Sequence, residues 1–129
     1  MNNYPDDRLY YEQHEWLKML DEKTGLVGIS YYAQDSLGDI VYLQAPETGK
    51  VVARGEEIAE IESVKAVSSI YSPVSGKIVE INEEVINSPE IINQDPYEKG
   101  WIFKIEITNP EELNTLMDAE SYRKFIEEG

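Results

Sequence analysis

The chain contains no cysteine, and this absence removes several classes of chemistry at once. Disulfides, cysteine-ligated zinc sites and a cysteine nucleophile are all excluded. No apolar run is long enough to cross a bilayer, so no membrane span is predicted. The first residues include Asp6 and Asp7, and they lack both an apolar segment and an arginine-rich stretch. That pattern argues against a secretory or organellar leader. We therefore expect a cytoplasmic protein, with a processed mitochondrial form as the alternative.

Positive charge is also scarce. The 11 Lys and Arg residues face 26 Asp and Glu residues, which gives a formal net charge of −15. Nucleic-acid binding depends on Lys and Arg side chains that neutralise phosphates, so neither nucleic acid nor an acidic membrane surface is an expected partner. An acidic protein can be steered towards basic patches on partner proteins, although plain solubility explains such a charge equally well.

Local catalytic signatures are missing as well. The sequence has no nucleophile elbow and no glycine-rich phosphate loop. No group of His, Asp and Glu residues has the spacing of a metal site. These absences favour a non-catalytic protein without a metal. The length of 129 residues predicts a single domain over residues 1–129, and a hydrophobic fraction of 41% is enough for one core.

What the sequence does have is an internal repeat. Pro46–Ile58 and Pro73–Val85 lie 27 positions apart and share a pattern of Pro, Ser/Thr, Gly, Lys, a β-branched residue and Val, followed by Gly/Asn, Glu, Glu and a β-branched residue. Two such copies predict two equivalent β units. The segment between them contains Glu62-Ser63-Val64-Lys65-Ala66, where a pair of sheets related by a two-fold axis needs a tight connection.

The remaining pattern predicts a mainly β protein. We expect an N-terminal hairpin over about residues 10–29 and a β core over about residues 39–108, because many short strands with regular turn signals are typical of a sandwich or barrel. Trp101–Thr108 is the clearest strand, since every second residue is apolar. Trp16 and Trp101 are expected to be core or rim aromatics.

Short helices are predicted at the periphery and the C-terminus. Ser30 and Gly38 fit the two caps of one helix, and Asn82–Asn87 fits a helical turn. Over about residues 110–127 we expect two helices. The first begins with Asn109, Pro110 and Glu112 in the spacing of a capping box. The second starts near Asp118 and packs Tyr122, Phe125 and Ile126 against the core.

Several motifs together resemble the H protein of the glycine cleavage system. By spacing alone Lys65 is one lysine among several, and Lys50 and Lys77 look like solvated turn residues at equivalent places in the repeat. The likeness extends from about residue 10 to the end of the chain and consists of motifs in one order: His14-Glu15-Trp16, Gly28-Ile29, Tyr32-Ala33-Gln34, Leu37–Val41, Glu62–Ala66, Ile70–Gly76, Asp95–Tyr97 and Gly100–Ile105.

This resemblance implies a barrel-sandwich hybrid, like a lipoyl domain, with short peripheral helices. It also implies that Lys65 carries lipoate in amide linkage, with Glu62, Ser63, Val64 and Ala66 as the surface that a lipoate ligase or lipoyltransferase recognises. Biotin carriers place their lysine between two methionines, and Val64 and Ala66 stand there instead, which favours lipoyl over biotin. An ordinary solvated strand face remains an equal alternative for Glu60 and Glu62.

The implied task is to carry an aminomethyl group. Glycine decarboxylase (the P protein) would load the arm and aminomethyltransferase (the T protein) would unload it. Dihydrolipoyl dehydrogenase (the L protein) would then reoxidise it, and this chain would catalyse nothing itself. Two alternatives stay open: a lipoyl relay protein that passes lipoyl groups to other complexes, and an unmodified β-sandwich interaction module.

A cleft for the loaded arm is implied at His14, Glu15 and Ser69. A carboxylate at Glu15 could accept hydrogen bonds from the amine and pair with its charge. Position alone instead favours a surface residue for Glu15 and a packing or hydrogen-bonding role for His14. Ser69 departs from the family, which usually has an acidic residue there, so weaker retention of the loaded arm is predicted.

Overall fold

Short strands joined by turns and short helices build the fold. The computed structural model describes residues 3–128, in which nine strands form two sheets. The strands are β1 (Leu9–Tyr10), β2 (Glu15–Met19), β3 (Thr24–Ile29), β4 (Ile40–Gln44), β5 (Val51–Val52), β6 (Glu57–Ser63), β7 (Val67–Tyr71), β8 (Gly76–Ile81) and β9 (Phe103–Ile107). The helices are α1 (Tyr31–Leu37), α2 (Glu83–Asn87), α3 (Ile91–Gln94) and α4 (Ala119–Glu128), with a 3-10 helix at Pro110–Thr115.

The main core lies between the two sheets. One sheet has six strands in the order β1-β2-β3-β9-β8-β5, and the other has three in the order β4-β6-β7. Apolar side chains alternate along these strands, so each sheet turns one apolar face inwards. Leu43, Ile61 and Ile70 of the small sheet, and Ile78 and Ile105 of the large one, join the same buried cluster.

The two repeat segments pair with each other. Val51 faces Lys77 and Val52 faces Gly76 in an antiparallel β5–β8 ladder, as an approximate two-fold axis requires. The copies diverge afterwards. Gly55 adopts a positive φ of 85° and the first copy continues into strand β6, whereas the Asn82 side chain accepts the Glu84 N–H and starts α2. The predicted helical turn at Asn82–Asn87 is thus confirmed.

A second, smaller cluster attaches the two ends of the described chain to the sheet. It contains Tyr10, Trp16, Ala119 and Tyr122, all buried. The Tyr10 and Tyr122 rings stack with their centroids 4.7 Å apart. Helix α4 is therefore fixed against the N-terminal strands.

The helix predictions were right at α1 and α4 and wrong in two places. Ser30 accepts the Ala33 N–H and Gly38 ends α1, as expected. The predicted capping box at Asn109 does not form, and a 3-10 helix replaces the α-helix. The Glu112 carboxylate instead binds the backbone N–H and the hydroxyl of Ser75, so a tertiary contact takes the group that the local motif needed. The structure also has a short helix, α3, where none was predicted.

Two details near the C-terminus also differ. The strand predicted over Trp101–Thr108 is confined to Phe103–Ile107, and Ile102 just before it is fully buried although it lies between the alternating apolar positions. The Ile102 N–H bonds the carbonyl of Val27 and places this residue within the core. Phe125 is only partly covered, although its ring contacts those of His14 and Tyr122.

Candidate functional site

Lys65 lies at the tip of the hairpin between β6 and β7. The strands pair from Glu57–Tyr71 to Glu62–Val67, and Ser63–Ala66, here called the lysine turn, closes them. Val64 and Lys65 both keep negative φ. The commonest two-residue hairpin loops have positive φ, so this turn is of a less common kind. The Ser63 N–H donates to the Ala66 carbonyl at 2.8 Å, and the Ser63 hydroxyl accepts the N–H groups of Lys65 (3.3 Å) and Ala66 (3.1 Å).

The lysine turn rests against the end of α1. The Val64 N–H donates to the Asp39 carbonyl at 3.0 Å. Gly38 has φ 79° and ψ −154°, a conformation open essentially to glycine alone. A Cβ added to Gly38 would lie 3.5 Å from Lys65 Cε, so the alkyl chain of the lysine passes directly over this glycine. The lysine is exposed, and the end of α1 sets the direction in which it leaves the sheet.

Glu15 lies inside the protein rather than on its surface. The residue is 1% exposed, which overturns the interpretation based on position alone. Its Oε2 accepts the Tyr71 N–H at 3.0 Å, at the outer edge of β7, where no further strand follows. Its Oε1 is buried and has no hydrogen-bond partner among the described residues. Burial raises the pKa of the Glu15 carboxyl to about 8.

His14 and Ser30 are adjacent in sequence to the paired residues Glu15 and Ile29, where β2 begins and β3 ends, and the Ser30 N–H bonds the His14 carbonyl. We call His14, Glu15, Ser30 and Tyr122 together the carboxylate cluster. The Tyr122 hydroxyl of α4 bonds both His14 Nδ1 (2.6 Å) and Ser30 Oγ (2.7 Å). His14 has a φ of 78° and is the one non-glycine residue with positive φ in the described part of the chain. Such a conformation persists only where the surroundings enforce it. Burial lowers the pKa of the His14 imidazole.

Ser69 is hydrogen-bonded to a carboxylate, that of Glu57. Its hydroxyl donates to Glu57 Oε1 at 2.5 Å, so a negative charge lies at this point of the sheet although Ser69 has none. The register shift between Glu57 and Ala59 in β6 accompanies this contact. Glu57 was not among the predicted site residues. Twelve positions separate it from Ser69, and neither residue type marks the pair in the sequence.

The predicted site residues fall into two groups along one sheet edge. Lys65, Ser63, Val64 and Ala66 form the turn at one end of β7, and Glu62 pairs with Val67 just below it. Glu15 binds β7 at Tyr71, six residues from the lysine, or about 20 Å at 3.3 Å per residue. His14 has the hydrogen-bonding role that position predicted. Sequence reasoning missed Gly38, Ser30, Tyr122 and Glu57 as parts of the site.

This geometry suits a movable arm. A side chain extended from Lys65 can sweep the edge of β7 towards a buried carboxyl that lacks one partner. A family model described as glycine cleavage H-protein matches residues 8–129. The chain belongs to the glycine cleavage H-protein family. Within the glycine cleavage system it has the carrier function that the sequence resemblance implied, and that prediction is confirmed.

Two relatives of this H-protein chain are similar to it in sequence over almost its whole length. The glycine cleavage system H protein of Symbiobacterium thermophilum is 48% identical over 129 residues, which is all of both chains. That of Carboxydothermus hydrogenoformans is 49% identical over 128 residues, or 99% of this chain and 98% of the relative. A crystal structure of the H protein from Mycobacterium marinum superposes with a TM-score of 0.82 at 35% identity, covering 93% of this chain and 96% of that one.

The structural match also confirms the predicted fold class, a lipoyl-domain-like barrel-sandwich with short helices. No helix among residues 3–128 has the length and apolar character of a membrane span. In the same part of the H-protein chain, no group of three or more His, Asp and Glu residues is arranged to hold a metal ion.

Proposed function

We propose that Lys65 carries a lipoyl group in amide linkage and that this chain serves as a non-catalytic carrier of the aminomethyl group of glycine. The partners would be glycine decarboxylase, aminomethyltransferase, dihydrolipoyl dehydrogenase, and a lipoate ligase or lipoyltransferase. The observation that carries the proposal is the position of Lys65 on an exposed turn, at the free end of a sheet, in a chain of the H-protein family. A modifying enzyme can reach such a lysine without disturbing the core.

Acylation requires the Lys65 amine as a nucleophile. The nitrogen lone pair attacks the activated carboxyl carbon of lipoate, an N–C bond forms, and the activating group leaves with the bonding pair. The nitrogen gives up its extra protons, so the chain becomes one charge more negative than its formal −15. When bound, lipoate supplies a disulfide that can accept and release an aminomethyl group, and the protein supplies position.

The carboxylate cluster fits the amine of the loaded group. Glu15 Oε1 is buried without a partner, and an orphaned buried oxygen is costly unless some ligand supplies a donor. A protonated amine brings both donors and a positive charge. Such a charge beside Glu15 would lower the carboxyl pKa again and favour an ion pair. His14 belongs to this cleft through the Tyr122 hydroxyl, which it shares with Ser30.

Ser69 is the third proposed residue of the arm cleft. Its hydroxyl carries no charge and is bonded to the Glu57 carboxylate, whereas an aspartate would add a second negative charge at this point, so we expect faster release of the loaded arm than in a Ser69→Asp variant. The two release rates can be compared after loading with glycine decarboxylase. Equal rates would show that the Glu57 carboxylate makes up for the serine.

Intact mass tests the proposal directly. The chain is incubated with lipoate, ATP and a lipoate ligase, beside Lys65→Ala, Lys50→Ala and Lys77→Ala variants. We expect one lipoyl increment on the wild type and on the two control variants, and none on Lys65→Ala. A folded wild-type chain that gains no mass would overturn the carrier function and leave the interaction module.

Glycine-dependent exchange of carbon dioxide then separates the carrier from a lipoyl relay. The lipoylated chain should support this exchange with glycine decarboxylase, because the decarboxylase needs an acceptor for the aminomethyl group. A lipoylated chain that supports no exchange, but donates its lipoyl group to other acceptor proteins, would be a relay.

A further inference from the structure

The exposed large apolar side chains are unevenly distributed. Val41, Tyr42, Val64 and Val67 all lie at the lysine-bearing end of the three-stranded sheet. Tyr42 is 52% exposed, Val67 60% and Val64 70%. Single exposed apolar residues need no explanation, but a group around a modification site does.

Strand register places Tyr42 and Val67 on one face. Tyr42 pairs with Glu62, and Glu62 pairs with Val67, so the three form a row across β4, β6 and β7. Side chains of directly opposed residues lie on the same face, about 5 Å apart. The adjacent row of Leu43 and Ile61 is buried, so the Tyr42 row points outwards. The next outward row is Gln44, Glu60 and Ser69. We call the surface made by these two rows the outer face.

Charge on the three-stranded sheet and its lysine turn is mostly of one sign. Residues 39–44 and 57–71, which contain β4, β6, β7 and the turn, include a single basic residue, Lys65 itself. The acidic residues in the same ranges are Asp39, Glu57, Glu60 and Glu62. A protein that approaches the lysine therefore meets carboxylates with apolar groups among them, and its complementary surface has Lys or Arg side chains beside apolar ones.

We propose that the outer face, through Tyr42, Val67 and Glu60, is the docking surface for the enzyme that acylates Lys65. Before acylation the reactive amine extends from the protein only by the length of the lysine side chain, which passes over Gly38, just before β4. The active site of the acylating enzyme must therefore approach the end of the sheet closely, and the surface around that active site contacts Tyr42 and Val67. Enzymes that act later meet the end of a longer arm. The inference rests on the proposed function and extends it beyond the turn residues.

The test compares initial rates of lipoylation by a lipoate ligase at chain concentrations below saturation. The variant Tyr42→Thr/Val67→Thr removes the apolar row and keeps β propensity. Its matched control is Val51→Thr/Val79→Thr, which changes two exposed valines of the other sheet. We expect kcat/KM to fall about tenfold or more in the first variant, as for loss of interface anchors, and to change less than about twofold in the control.

Charge is tested in the same assay with Glu60→Gln against Glu106→Gln, an exposed glutamate of β9. The Glu60 variant should be acylated several-fold more slowly at low salt, and the difference should shrink as salt rises, because screening weakens contacts between exposed charges. The Glu106 variant should match the wild type at both salt concentrations.

The outcomes separate the two proposals. If the wild-type chain gains no lipoyl group, the proposed function is overturned. Wild-type chain that is acylated, with Tyr42→Thr/Val67→Thr acylated equally fast, overturns the docking surface alone. A variant that is acylated normally but, once loaded with lipoate, fails with glycine decarboxylase would also overturn it, because the face would then serve the later enzyme. Urea unfolding of each variant confirms that the fold is intact.

Discussion

The lysine turn and the carboxylate cluster lie along the same edge of β7 but are built in opposite ways. The turn is exposed, and the Ser63 hydroxyl and one bond from Val64 to Asp39 hold it. In the cluster Glu15, Ser30 and Tyr122 are buried and His14 is half-buried, and the Tyr122 hydroxyl of α4 joins His14 to Ser30, the cap of α1. In the proposed function a partner must reach the lysine turn, which can be altered with little loss of stability. The buried carboxylate proposed to receive the amine depends instead on the surrounding packing.

Truncation of Tyr122 should show this contrast most strongly. Tyr122→Ala removes a fully buried ring that stacks on Tyr10, together with the hydroxyl shared by His14 and Ser30. We expect a loss of about 3–5 kcal/mol in the free energy of unfolding, the usual range for buried aromatic residues. The control Tyr42→Ala makes the same chemical change on the outer face and should cost less than about 1 kcal/mol. Urea titration measures both, and equal losses would contradict the distinction.

The pH dependence of stability should sharpen the comparison. The folded-state pKa of Glu15 is about 8, above its ordinary value of 4.5, because burial disfavours the charged form. The folded protein therefore holds a proton that the unfolded chain releases, and this contribution is complete below about pH 4.5 and lost as pH rises through about 8. One unit of pKa corresponds to about 1.4 kcal/mol, so the loss amounts to a few kcal/mol.

A Glu15→Gln variant supplies the reference, because its side chain does not titrate. The unfolding free energy of the wild type should fall relative to that of the variant between about pH 5 and about pH 8. His14 titrates in the opposite sense, since burial lowers its pKa, and taking the difference between the two proteins cancels its contribution. Parallel curves would show that Glu15 is ionised in the folded state throughout this range.

Gly38 connects the turn to the helix and should show an intermediate effect. Its φ of 79° and ψ of −154° strain any other residue, so Gly38→Ala should cost about 1–3 kcal/mol. The added methyl group would also lie beside Lys65 Cε, so the direction of the lysine should change. Gly49→Ala is the control, because it has a similar positive φ and open space around it. The two variants should lose similar stability, but only Gly38→Ala should be lipoylated more slowly.

The sequence predicted the turn far better than the cluster, and contact range explains why. Lys65 stands in a contiguous motif, and the Ser63 bonds that shape the turn span two or three residues. Glu15 reaches Tyr71 across 56 positions, and His14 reaches Tyr122 across 108. A charged residue is usually exposed, so position alone placed Glu15 on the surface. Only the family resemblance indicated its role, and the fold then showed its burial.

The failed capping box gives the same lesson from the other side. Asn109 and Glu112 have the right spacing for an α-helix start, but local spacing does not show that Ser75 lies close to Glu112 in the fold. The Glu112 carboxylate accepts two hydrogen bonds there, from the Ser75 N–H and hydroxyl. Those bonds replace the one that a box would give, so tertiary contact outweighs the local signal. The sheets, by contrast, follow apolar alternation and paired turns, which the sequence displays directly.

The smallest effect is expected inside the lysine turn itself. Ser63→Ala removes the acceptor of the Lys65 and Ala66 N–H groups, but these groups are exposed and water can replace it. The unfolding free energy should change by no more than about 0.5 kcal/mol. Hydrogen exchange at the Lys65 and Ala66 amides should nevertheless become faster, while exchange at Ile61 stays slow. A Ser63→Thr variant keeps the hydroxyl and should restore protection. A large loss of global stability in Ser63→Ala would mean that the turn is part of the folded core, and the contrast with the carboxylate cluster would fail.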